Sequence, residues 1–93
     1  MTYLMKDPGA TLDYAVDWGT EYLDGDVIVA NNFALSPTEP GGAAITGSSF
    51  DQTLAIVTVG GGIAGHQYRI VNHVVVQSGR EDERTIVLRV EQR

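Results

Sequence analysis

The side chains with the most chemical potential are two histidines, a run of carboxylates, a glycine-dense stretch and three serines. His66 and His73 stand seven apart in a segment that reads as one strand. The odd offset sends them to opposite faces, and neither has a second ligand close by in sequence, so a shared zinc site is not expected. General acid–base work by an imidazole would need a pocket and a nucleophile, and nothing in the sequence proposes either. A polar contact of His73 with Asp82 or Glu83 across a hairpin is the plainer expectation. The carboxylates Asp13, Asp17, Glu21, Asp24 and Asp26 invite a calcium reading, yet the D-x-[DN]-x-[DN]-G spacing is absent. Asp24-Gly25-Asp26 is the pair close enough in a turn to share a hard cation with backbone carbonyls. Gly60, Gly61, Gly62 and Gly65 suggest a phosphate cradle, but no Lys-Ser or Lys-Thr follows, and both the G-x-G-x-x-G spacing and a receiving helix are missing. They read as a turn between strands. Ser48, Ser49 and Ser78 lie in glycine-containing turns without a G-x-S-x-G elbow. No catalysis, metal or cofactor is expected.

The elements that carry these residues are strands. Val, Ile, Thr and Tyr recur in short runs closed by Gly or Pro. Residues 1–9 read as a flexible N-terminal arm ending in the turn Asp7-Pro8-Gly9, apolar enough over Met1 to Met5 to exchange onto a neighbour. Residues 10–93 read as a single domain. Leu12, Tyr14, Val16 and Trp18 alternate with Asp13, Ala15 and Asp17, one face apolar and the other mostly acidic. Residues 20–26 are too short for a stable helix and read as one helical turn or a tight loop. Residues 26–35 form a second strand with apolar side chains on both faces, so its register stays open, and a bulge near Asn31-Asn32 would bring Phe33 or Leu35 into phase. Pro37 and Pro40 make residues 36–42 a loop. Strands over 43–49 and 53–59 follow, joined at Phe50-Asp51-Gln52.

Beyond the glycines, Tyr68, Ile70, Asn72, Val74 and Val76 share one face of a long strand, with Arg69, Val71, His73 and Val75 on the other. Residues 84–91 set Ile86, Leu88 and Val90 opposite Thr85, Val87 and Arg89. Six or seven strands with no 10–15-residue helical pattern exclude alternating βαβ units. An antiparallel β-sandwich of the immunoglobulin or fibronectin type fits best, with a small barrel second.

Composition narrows the function classes. The chain has 93 residues, 43% hydrophobic and 19% charged, and no cysteine, which gives a core without disulfides or thiolate chemistry. No apolar run is long enough to span a membrane, and the first residues lack the profile of a signal peptide. The formal net charge is −6. Residues 1–46 hold seven acids and one base, and residues 47–93 five of each. Nucleic acid is not an expected partner, because a phosphate footprint needs clustered Lys and Arg; a membrane is not expected either. A basic partner docking on the acidic half is the sharper use of that asymmetry.

Trp18, Ile28, Val57, Ile70 and Leu88 are the expected core. Tyr68 joins them as a tyrosine that follows a glycine-rich turn and ties the loop down through its hydroxyl, as in many sandwich folds.

Two blocks of residues carry a family resemblance. The first is Lys6-Asp7-Pro8, Leu12-Asp13-Tyr14, Val16-Asp17-Trp18, Tyr22-Leu23, Gly25-Asp26 and Ile28. The second is Ile45, Gly61-Gly62-Ile63-Ala64-Gly65, Tyr68-Arg69-Ile70, Asn72, Gly79-Arg80 and Glu83-Arg84. Over about residues 6–91 the chain resembles small structural proteins of tailed bacteriophages and prophages, the fibre–tail adaptor or tail-connector-like proteins. The resemblance implies an immunoglobulin-like sandwich without catalysis. It also implies a place in the virion near the tail or its fibres after synthesis in the bacterial host cytoplasm, with other virion proteins, and the chain itself, as partners. Contacts are expected on the unguarded strand 84–91 or on the outer face of residues 69–75, through Arg69, Val71, His73, Val87 and Arg89. The alternative is an immunoglobulin-like module that binds glycan or protein at a loop end, for which Tyr3, Tyr22 and Phe50 would supply the aromatics.

Overall fold

The computed structural model describes residues 2–19 and 25–92. Seven strands form two sheets: β1 (Thr2–Lys6), β2 (Leu12–Asp17), β3 (Ile28–Ser36), β4 (Ala43–Phe50), β5 (Leu54–Gly61), β6 (Gln67–Val76) and β7 (Glu81–Val90). The larger sheet has the order β1-β7-β6-β3 and the smaller one β2-β5-β4. This is the immunoglobulin arrangement of a C-F-G sheet over a B-E-D sheet, with the first strand beside the last. All pairings are antiparallel except β1–β7, which is parallel with Thr2 opposite Ile86 and Lys6 opposite Val90.

Period-2 patterning produces the core. On β6, Tyr68, Ile70, Asn72, Val74 and Val76 are all buried, and they face Val16, Ala55, Val57 and Val59 of the smaller sheet. Trp18, Ile28 and Leu88 are buried in the same cluster. The glycine run lies where the chain crosses from the smaller sheet to the larger. Gly61 and Gly62 have φ of 73° and 115°, and a Cβ on Gly62 would sit 2.7 Å from Val90 Cγ2. That crossing therefore requires glycine sterically.

Three sequence expectations change. Residues 2–6, assigned to a flexible arm over residues 1–9, form β1, so the sandwich begins at Thr2. Leu4 packs on the core, and Lys6 is buried at 0% exposure, its Nζ donating to Gly61 O (2.6 Å) and Asp7 O (2.8 Å). Strand 84–91, expected as an unguarded edge, starts at Glu81 and lies inside its sheet between β1 and β6. The bulge expected near Asn31-Asn32 falls between Ile28 and Ala30. It releases Val29 to solvent (52% exposed) and turns Asn31 inward to meet Asn72. The turn at Asp7-Pro8-Gly9 is present, with Gly9 N–H and Ala10 N–H donating to Asp7 Oδ1 (2.8 Å) and Asp7 O (3.1 Å). The helical turn or loop expected at residues 20–26 falls largely outside the described residues.

Candidate assembly surface

The outer face of the larger sheet gathers the residues expected to make contacts. Arg69, Val71 and His73 project from β6, and Val87 and Arg89 from β7, with Arg69 opposite Val87. The parallel register of β1 adds Tyr3 beside Val87 and Met5 beside Arg89. Tyr3 is 72% exposed and Met5 52%. Val87 points outward yet is buried, because Tyr3 and Arg69 flank it on the neighbouring strands. Two shallow depressions of about 390 and 420 Å³ flank this ridge and share Tyr3, Gln67 and Val87. The first reaches Arg69 and Pro37, the second Met5 and Arg89.

Charge divides the face. Arg69 and Arg89 occupy the end near Tyr3 and Met5, with Arg89 Nε 2.7 Å from Glu91 Oε1. The other end carries Glu81 and Glu83, which oppose Val75 and His73 across β6–β7. His73 Nε2 lies 3.0 Å from Glu81 Oε1, so its partner is Glu81 rather than the expected Asp82 or Glu83. The side-chain reach runs diagonally across the pair, one step beyond the register partner Glu83.

Two internal devices hold this sheet in place. Trp18 Nε1–H donates to Asn72 Oδ1 (2.8 Å), and Asn72 Nδ2 donates to Asn31 Oδ1 (2.6 Å) and Asn32 O (3.2 Å), linking the smaller sheet to β6 and β3. The Arg84 guanidinium lies 4.3 Å from the Trp18 ring centroid and closes the ring's outer side. At the far end, Tyr68 meets the glycine turn through its hydroxyl, as acceptor. Ile63 N–H donates to the hydroxyl (3.2 Å), and the hydroxyl donates to Glu39 Oε1 (2.5 Å). His66 Nδ1 lies 2.9 Å from the same carboxylate oxygen. Tyr68 and His66 together hold the Glu39 carboxyl below its ordinary value, while burial pushes the Tyr68 hydroxyl up.

The other candidate groups do not converge. His66 belongs to this clasp and His73 to the outer face. Asp26 Oδ1 accepts from Val27 N–H (2.9 Å) and Asp26 Oδ2 lies 3.6 Å from Arg80, whereas Asp24 is outside the described residues. Among the described residues no three His, Cys, Asp or Glu side chains gather as a metal site. Of the aromatics needed for a ligand-binding loop end, Tyr3 lies on the larger sheet, Phe50 ends β4 on the smaller one, and Tyr22 is outside the described residues.

Sequence reasoning missed Tyr3 and Met5 as members of this face. The available signal was the alternation of Thr2 and Leu4 with Tyr3 and Met5, which has apolar residues in both phases. It also missed Asn72 as a buried hub, although a lone amide within an apolar stripe signals a buried polar group that needs partners.

A search of curated proteins finds no match. A protein-family model described as podophage GP4 fiber-tail adaptor protein gp77 matches residues 6–89, which takes in six of the seven strands from the end of β1 onward. The sandwich with its spaced apolar outer face thus belongs to a chain that is a member of this podophage fibre–tail adaptor family.

Proposed function

We propose that the protein is a non-catalytic virion component at the tail or fibre-attachment region, and that it docks a neighbouring tail or fibre protein through the outer face of the larger sheet. The observation that carries this reading is the band of Tyr3, Met5 and Val87 bordered by Arg69 and Arg89. A rigid sheet presents it, and an exposed aromatic beside arginines is the composition of a binding hot spot. In a virion, many copies make each contact, so a modest single affinity is enough for a stable assembly.

The test is complementation of a phage lacking this gene. Tyr3→Ser and Arg69→Glu variants are expected to fold like the parent, because both side chains are exposed, yet to lower the yield of fibre-bearing particles at least about tenfold, from a hot-spot loss of about 2 kcal/mol per contact. Parent-level yields from both folded variants would refute the reading.

A further inference from the structure

The two sheets part at the side where β1 and β2 lie, opposite the side where β3 packs on β4. The cleft between them has a volume of about 450 Å³ and is lined by Leu4, Tyr14, Val16 and Ile86, with Asp13, Asp17 and Arg84 at its rim. Among the described residues the buried Tyr14 hydroxyl has no hydrogen-bond partner, a state that costs free energy and leaves this wall of the cleft incompletely satisfied.

The sheet edges beside it are unlike the others. β3 carries a register shift between Ile28 and Ala30, and β4 one between Ile45 and Gly47. Such irregularities blunt an edge against pairing. β2 pairs with β5 from Leu12 through Asp17 without any shift, so its other edge is straight. The hydrogen bond from Trp18 N–H to Thr53 O (2.9 Å) sets the phase of this ladder. Tyr14 and Val16 turn their backbone groups toward β5, while Asp13 and Ala15 turn theirs to the open edge.

Side chains follow the same alternation. Tyr14 and Val16 face the cleft, and Asp13, Ala15 and Asp17 face out, with Asp13 accepting from Thr58 Oγ1 (2.5 Å). Arg84, the rim's cation, is occupied over the Trp18 ring and by donating to Asp17 O (2.8 Å).

We propose that β2 is a strand-addition site for an extended partner segment in which apolar and basic residues alternate. A strand laid on this edge sets every second side chain into the cleft beside Leu4, Tyr14 and Val16. It sets the intervening side chains opposite Asp13, Ala15 and Asp17, where lysine or arginine is favoured. The β2 edge of a second copy does not fit, because carboxylates would oppose carboxylates. This site is separate from the outer face of the larger sheet.

The test is an amide NMR titration of the full chain with a short peptide alternating lysine and valine, alongside a glutamate–valine counterpart. The expected result is shifts centred on residues 12–17 and on Leu4 and Ile86 of the facing wall, with the acidic peptide about tenfold weaker, from two favourable against two unfavourable cross-strand charge pairs. Ala15→Pro is expected to abolish binding while keeping the β2–β5 ladder, since the lost N–H faces the open edge. An Asp13→Asn, Asp17→Asn double variant is expected to remove the preference for lysine. Absent binding, equal affinity for both peptides, shifts on the outer face of the larger sheet, or undiminished binding by either variant would overturn the proposal.

Discussion

Asn72 joins three strands through one side chain. It is fully buried, accepts from Trp18 and donates to Asn31 and Asn32. Asn72→Leu keeps the volume but strands the buried Trp18 N–H, at an expected cost of about 2–3 kcal/mol, checked by chemical denaturation. The second residue-scale prediction concerns pH. The Tyr68 hydrogen bond, then His66, lowers the folded pKa of Glu39, so the unfolded chain binds this proton more readily. The clasp's contribution is therefore fully present above the unfolded value of about 4.3 and is lost as pH falls through the lower folded value. Amide protection factors at Ile63 and Gly42, corrected for the intrinsic pH dependence of exchange and followed from pH 6 downward, are expected to fall across that window in the parent and not in Glu39→Gln. At this scale the sequence was informative where a residue type has one common role, as with Tyr68 after the glycine turn. It was silent on Glu39, because a loop carboxylate sits about thirty positions from the hydroxyl it meets, and only the fold brings them together.

Strands were readable in proportion to how cleanly their two faces differ. β6 has Tyr68, Ile70, Asn72, Val74 and Val76 in one phase, and its inward face follows directly. β3 carries apolar residues in both phases, and its register depends on a bulge between Ile28 and Ala30 that the local pattern does not place. β1 is five residues long and pairs in parallel with the far end of the chain, a long-range choice that propensity does not contain. Lys6 secures it: burial lowers the ammonium's pKa, the Asp7 charge opposes that, and two carbonyls accept its protons. Lys6→Met leaves the Gly61 carbonyl without that donor and is expected to cost about 1–3 kcal/mol. Its signature is faster hydrogen exchange over Thr2–Met5 with β6 unaffected. Gly62→Ala is expected to destabilise by more than about 1 kcal/mol in thermal melts, since φ of 115° and the nearby Val90 both oppose a Cβ.

The whole molecule separates its surfaces by chemistry. The larger sheet shows solvent an aromatic–apolar band with arginines at one end and glutamates at the other, while β2 shows aspartates along an open edge. The fold class was legible because strand count, turn spacing and the absence of helical periodicity agree. The face was half legible: its β6 and β7 residues were expected, and its most exposed members, Tyr3 and Met5, depend on the β1 pairing. The measurement that tests the central claim most directly is photo-crosslinking inside purified virions. The probe is placed singly at Tyr3, Arg69 and Val71 on the larger sheet, and at Ser49 and Ile56 on the outer face of the smaller one. The account predicts crosslinks to another tail or fibre protein from the first three positions and few from the last two. Crosslinks from Ser49 and Ile56 with none from Tyr3, Arg69 or Val71 would contradict it.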